Sequence, residues 1–188
     1  MPRRLAAPSL ADDQIRLEPL AQRDVEELLG VVDDAEIVRF TRLPTSGVDS
    51  AWVSGWIGRY EAGWEDGSRA GFSIRDHDRR LLGFGALVDL DLDRGEGEIG
   101  YLVGPAARGR GVARRAVDLL TRWSFDELGL ERLELRIHPD NVGSVKVAER
   151  AGYRLDGVLR NVHFKEGVRS DLGVWSRLKT DSSRRLPA

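Results

Sequence analysis

The chain predicts a mixed α+β fold built on one sheet that is mostly antiparallel, and three observations carry that expectation. At 188 residues, 41% hydrophobic and 32% charged, it has the length of one domain and enough apolar side chain to bury roughly 70% of its unfolded surface. Three alternating runs, Gly71 to Arg75, Leu81 to Leu92 and Glu96 to Val103, follow one another, with the polar turn Asp76-His77-Asp78-Arg79 between the first two. That is the pattern of an antiparallel meander. After Gly104-Pro105 the period lengthens, and Val112, Ala116, Leu119, Leu120, Trp123 and Leu128 mark a helix closed by Gly129. The alternating strand Leu133 to Ile137 that follows must run parallel to Glu96–Val103, through a right-handed crossover, if both share a sheet.

The remaining elements follow from the same periodicities. Ile15-Arg16-Leu17 alternates as a short strand, and Val25, Leu28, Leu29 and Val32 share one face of a helix from Asp24 to Val32. Val48, Trp52, Trp56, Tyr60 and Trp64 recur every four residues, with Ile57 beside them, and predict a helix from Asp49 to about Glu65. Such an aromatic stripe serves either core packing or a ligand wall. Asn141 opens a short helix, Val142 to Arg150, stopped by Gly152, and two last strands are expected around Tyr153 to Arg160 and Arg169 to Leu178. Residues 1–13 and 180–188, rich in Arg, Ser, Pro and small side chains, read as mobile tails around a single domain of residues 14–179.

Composition removes several kinds of chemistry. The chain has no cysteine, which excludes disulfides, thiolate metal sites, iron–sulfur clusters and a thiol nucleophile. Its 29 basic and 31 acidic residues give a net charge of -2, so no overall field favours nucleic acid or an anionic membrane. Leu5-Ala6-Ala7 before Pro8 falls short of the apolar core of a signal peptide, and no window approaches the roughly 18 apolar residues of a membrane span. A cytoplasmic protein without a metal is the expectation.

The chemically loaded segment is Arg108-Gly109-Arg110-Gly111-Val112-Ala113, between a strand and the first turn of a long helix. A helix N-terminus offers unpaired N–H groups and the positive end of the macrodipole. Glycines let an anion approach the backbone, and arginines add charge-assisted hydrogen bonds. The segment reads as a pyrophosphate cradle, with a plain strand-to-helix turn as the structural alternative. No Gly-x-x-x-x-Gly-Lys-Ser/Thr is present, and the third glycine of a dinucleotide fingerprint is replaced by Arg114.

These residues resemble the GNAT superfamily of acyl-CoA-dependent N-acyltransferases. Arg108 to Ala113 matches that family's Arg/Gln-x-x-Gly-x-Gly/Ala motif. Glu98-Ile99-Gly100-Tyr101-Leu102-Val103 is similar to its pantetheine-binding strand. Asn141-x-x-Ser144, followed by Val147-Ala148-Glu149-Arg150-Ala151-Gly152-Tyr153, is similar to the RimJ/RimL subgroup. The resemblance spans about Ile15 to Leu178 and implies a six- to seven-stranded sheet with a splayed central parallel pair, flanked by about four helices. It implies that Leu102, Val103, Arg108, Gly109, Arg110, Gly111, Val112, Ala113 and Asn141 hold acetyl-CoA or another acyl-CoA such as succinyl-CoA, largely through main-chain hydrogen bonds. Asn141 also suits a helix N-cap.

The implied reaction is attack of an amine on a thioester, which calls for a base and a donor to the leaving sulfur. Many relatives carry a tyrosine at the position of Ala148; here Ser144, one turn back on the same face, is the candidate donor. Glu98 is the first candidate base, with Glu96 on the same face two residues away and His138 and His163 as others. The acceptor is expected to be an N-terminal α-amine or a small amine. It would enter between the helix carrying Trp52, Trp56 and Trp64 and the last hairpin with His163, on the side opposite the pantetheine. A homodimer is one further expectation. A catalytically silent acyl-CoA-binding or interaction module on the same fold is the alternative, ahead of a dinucleotide-binding protein.

Overall fold

The meander lies in the middle of a larger sheet. In the computed structural model, which describes residues 4–182, strands β1 (Leu10–Ala11), β2 (Arg16–Pro19), β3 (Ala70–Arg75), β4 (Leu81–Asp91), β5 (Glu96–Val103), β6 (Arg132–Ile137), β7 (Arg154–Lys165) and β8 (Val168–Leu178) form one eight-stranded sheet. Its order is β1-β2-β3-β4-β5-β6-β8-β7. Every neighbouring pair is antiparallel except β5 and β6. The sheet exceeds the expected size by β1, which two residues suffice to make.

Five α-helices cover the two faces: α1 (Val25–Val32), α2 (Ala35–Phe40), α3 (Ser50–Asp66), α4 (Val112–Asp126) and α5 (Val142–Arg150). One core packs α1 and α3 on one face of the sheet through Leu28, Val53, Ile57, Phe84 and Leu102. The other packs α4 and α5 on the opposite face through Phe72, Ile99, Leu120, Leu133 and Ala148. Alternation along β5 therefore sends Leu102 toward α1 and α3, and Ile99 and Tyr101 toward α4.

Helix α3 begins where the sequence places it, because Asp49 accepts a hydrogen bond from the Trp52 N–H at 2.8 Å, and it ends at Gly67 with φ 79°. Its aromatic stripe is core packing. Trp56 lies 4.7 Å from Phe84 and 5.8 Å from Tyr60, centroid to centroid, while Trp64 contacts Phe72 and Trp123 in the other core. The stripe diverges because the helix runs past the edge of one core into the next. Trp64 thus cannot line the cleft expected for it, and Trp52 stacks on Trp56 rather than on an open wall.

Residues 4–13 also depart from expectation. Leu5 and Leu10 are buried, the Leu5 N–H donates to the Trp64 carbonyl at 2.9 Å, and β1 pairs with β2, so this stretch is packed rather than a mobile tail. Residues 1–3 and 183–188 of the expected tails lie outside the described residues; Lys179–Ser182 forms a short 3-10 turn. On the α1 side, Arg75 closes a buried ion pair with Asp24 at 2.7 Å and a second with Glu27 at 2.8 Å.

Candidate active site

Strands β5 and β6 pair at only three positions, Glu96 with Arg132, Gly97 with Leu133 and Glu98 with Glu134. Beyond Glu98, β5 stays bonded to β4 as far as Val103 and β6 stays bonded to β8 as far as Ile137, so the two strands part. The gap leads into a cavity of about 440 Å³. Its walls come from β5 (Tyr101, Leu102, Val103), the β5–α4 loop, the first turn of α4, α2 and the length of α5.

The loop supplies the anion end. Gly109 and Gly111 adopt φ of 73° and 77°, the left-handed region where side chains are strained, and a Cβ at either would meet nothing within 4 Å. Gly111 is the N-cap of α4 and no side chain caps the helix, so the first-turn N–H groups are left for an incoming anion. Leu102, Val103, Arg108, Gly109, Gly111, Val112 and Ala113 all line the cavity. Arg110 does not, because the tight turn directs its exposed side chain outward, and Arg114 takes its place on the wall. Arg108 is anchored by the carboxylates of Asp34 and Glu36 at the start of α2. Its guanidinium holds the Asp34 carboxyl below the usual carboxylate range. Lys146 and Arg150, one turn apart on α5, add two cations that sequence reasoning missed, although their spacing places them on one helix face with Gly143 and Val147.

Asn141 and Ser144 line the cavity from α5. The Asn141 Oδ1 accepts the Ser144 N–H at 3.0 Å as an N-cap, which leaves the side-chain amide donors for another partner. Ala148 is fully buried. Facing Ser144 from β5 is Tyr101, whose buried hydroxyl has the Ser144 side chain as its polar neighbour; burial pushes the phenol pKa up to about 12 and the interaction with Ser144 opposes that rise.

The donor cavity does not include Glu98. Its side chain shares the α1–α3 face with Leu102 and sits, 20% exposed, where the strands part, with Arg136 Nε 3.4 Å away. Burial pushes its pKa up to about 7, opposed by Arg136 and Arg42 and assisted by Asp89 and Glu134. Glu96 is half exposed and pairs with Arg94 at 3.8 Å, the surroundings of a solvated surface carboxylate. His138 packs on Phe40 at 5.6 Å. His163 is half-buried and its pKa is lowered by burial first, then by Arg42, His138 and Lys165. The wall opposite the hairpin is α2 and the loop after it rather than α3. Lys165 donates to the Val38 and Thr41 carbonyls, and Glu166 accepts from the Thr45 N–H at 2.9 Å and hydroxyl at 2.7 Å.

A slot between parted strands, an uncapped helix N-terminus with open glycines and a ring of cations suit a long anionic thioester with an amide-bearing arm, and the residues present fit coenzyme A. Residues 14–154 match the acetyltransferase (GNAT) domain family. The chain belongs to the GNAT acetyltransferase family. It is 26% identical to the uncharacterized N-acetyltransferase p20 of Bacillus licheniformis over 175 residues, 92% of this chain and 97% of the relative. It is 28% identical over 81 residues to the ribosomal-protein-serine acetyltransferase of Escherichia coli, 43% of this chain and 45% of that one. Among solved structures, the microcin C7 self-immunity acetyltransferase MccE, in complex with acetyl-CoA and AMP, superposes with a TM-score of 0.81 at 21% identity. The match covers 89% of this chain and 93% of that one. Among the described residues, no helix is long and apolar enough to cross a membrane, and no cluster of three or more His, Asp or Glu is arranged to hold a metal ion.

Proposed function

We propose that this acetyltransferase moves an acetyl group from acetyl-CoA to a primary amine, either a peptide N-terminal α-amine or a small amine, that reaches the site from the α1–α3 face. The observation that carries the reading is Glu98, a half-buried carboxyl with its pKa pushed up to about 7 where β5 and β6 part. When bound, the donor supplies an activated acyl carbon and a sulfur leaving group. Everything else falls to the chain's own groups: Leu102 and Val103 offer strand edges, Gly109, Gly111, Val112 and Ala113 hold the pyrophosphate, and Asn141 offers its amide. Glu98 takes the proton that the amine must lose, and Ser144 donates a hydrogen bond to the sulfur.

The pKa of Glu98 favours one acceptor class. An α-amine has a reference pKa of about 7.7–8.0, within roughly one unit of a base at 7, whereas a lysine amine at about 10.4 leaves the transfer uphill by more than three units. His163, on the last hairpin, has its pKa lowered by burial and by the charges of Arg42, His138 and Lys165, which suits an acceptor-contacting role. The name of the ribosomal-protein-serine acetyltransferase relative supports a protein acceptor, and that of the spermidine N(1)-acetyltransferase of Vibrio cholerae supports a small amine.

The test is a mass-spectrometric screen of the purified protein with acetyl- and succinyl-CoA. The acceptors are free-N-terminus peptides, N-terminally blocked lysine peptides and small amines. Acetylation confined to blocked lysine peptides would overturn the reading, and faster succinyl transfer would replace the donor. Edge strand β7 exposes Leu155, Val158 and Leu159, which supports pairing of two copies; sedimentation velocity on the same sample decides it.

A further inference from the structure

The loop after α2 is anchored on both sides of Arg42. Lys165 of β7 donates to the Thr41 carbonyl at 3.2 Å, the Thr41 hydroxyl accepts the Leu43 N–H at 3.3 Å, and Leu43 is buried in the α1–α3 core. Arg42 itself is exposed, and its charge is felt by both Glu98 and His163, so it stands at the opening between the parting strands and the last hairpin. The guanidinium of Arg136 is occupied by Glu98 and Glu134, and the ammonium of Lys165 by two backbone carbonyls. Arg42 makes no hydrogen bond or ion pair among the described residues. The opening is also polarised. Glu98 has Asp89 and Glu134 as negative neighbours, whereas Arg42, His138 and Lys165, the groups that act on His163, are all cationic when protonated.

We propose that Arg42 selects the acceptor by binding a carboxylate carried on the amine substrate, with the amine turned toward Glu98. The proposal rests on the acetyltransferase reading and narrows its acceptor to one chemistry, found in free α-amino acids and in peptides with an acidic residue next to the N-terminus. A guanidinium presents its donors as a fixed fork that matches a carboxylate, and such charge-assisted pairs are stronger than neutral hydrogen bonds. The anchored loop already fixes the backbone that carries Arg42, which lowers the ordering cost of binding. Selection comes from repulsion as well. A polyamine that turns one amine toward Glu98 brings a further ammonium to the cationic side, where like charges oppose it.

The experiment measures kcat/KM with acetyl-CoA, by release of the coenzyme A thiol, in wild type, Arg42→Ala and Arg42→Lys. Acceptors come in matched pairs, alanine with alaninamide and an Ala-Glu peptide with its Ala-Gln counterpart, and spermidine is run beside them. Removing Arg42 also changes the field at Glu98, but equally for both members of a pair, so the ratio within a pair isolates the carboxylate. That ratio is expected to fall at least ten-fold in Arg42→Ala, chiefly through the KM of the carboxylate-bearing member, and to recover in part in Arg42→Lys. A fall confined to the alanine pair identifies a free amino acid as the acceptor, and one confined to the peptide pair identifies an acidic N-terminus. Ratios unchanged in Arg42→Ala overturn the proposal and leave the acetyltransferase reading standing. So does spermidine turned over faster than every carboxylate-bearing acceptor, or no turnover of the latter. A wild-type protein that binds no acetyl-CoA in calorimetry overturns the acetyltransferase reading itself, and the proposal with it.

Discussion

The Arg136 Nε stands 3.4 Å from a carboxylate oxygen of Glu98 and 3.2 Å from one of Glu134, so one guanidinium is divided between two carboxylates on the strands that part at this point. A shared cation opposes the effect of burial on Glu98 without cancelling it, and the carboxyl is left titrating at about 7. The rate should therefore depend on pH through Glu98. kcat/KM is expected to rise through an acid limb near pH 7. Arg136→Gln should move that limb upward because a charge favouring the carboxylate is gone. Glu98→Gln should remove the limb and lower kcat/KM by roughly 100-fold. An unshifted limb in Arg136→Gln would detach it from Glu98.

The same group makes stability depend on pH. Its folded pKa of about 7 lies above the ordinary 4.5, so the protonated form favours the fold. That contribution is complete below about pH 4.5 and lost as the pH rises through 7. Glu98→Gln, which keeps the shape without the charge, should be more stable than wild type at pH 8 by on the order of 2 kcal/mol and nearly equal to it at pH 4. Urea melts at the two pH values measure the difference.

At the anion end, Gly111→Glu places a carboxylate and a Cβ where the backbone holds φ at 77°. Acetyl-CoA affinity by calorimetry should fall at least ten-fold, about 1.4 kcal/mol. The fold should lose about 1 kcal/mol to the left-handed backbone alone. Unchanged affinity in the folded variant would remove the loop from the donor site.

Glu166 and Thr45 tie the β7–β8 tip to the loop between α2 and α3. Glu166→Ala unties it, and because neither residue lines the donor cavity, the acceptor KM is expected to rise several-fold with acetyl-CoA affinity unaltered. A change confined to donor affinity would place the acceptor elsewhere.

Away from the site, Arg75 holds the fully buried Asp24. Arg75→Met leaves that carboxylate with only the exposed Arg23 at 3.7 Å and should cost about 3 kcal/mol in a denaturant melt, a loss the Asp24→Asn/Arg75→Met pair should partly restore.

What the sequence disclosed was local. Gly111 and Asn141 act through backbone conformation and a cap, both of which are written in neighbouring residues, and both line the cavity. Period four put Trp52, Trp56 and Trp64 on one helix face, but it carries no information on what that face meets, and Trp64 ends in a different core from Trp56. Helix α2, six residues long, is too short to show a period, so the wall it forms and its hold on Arg108 were invisible. Alternation along β5 already separated Glu98 from Tyr101 by face, yet the meeting of Tyr101 with Ser144 emerges only once α5 is placed over the strand. Leu5 and Leu10 looked like tail residues because their partners, Trp64 and β2, lie far along the chain.

The parting of β5 and β6 after Glu98 and Glu134 also gives the molecule a pair of strand edges that face inward. Outer edges of a sheet invite a neighbouring chain to zip on and must be blunted against aggregation; these two are screened from other chains by α2 and α5. Their amides have no cross-strand acceptor, so those of residues 100–103 that point away from β4 should exchange with deuterium quickly in the free protein. A seated pantetheine arm would slow that exchange, and the pattern of slowed amides would trace the ligand's path along the strand one residue at a time.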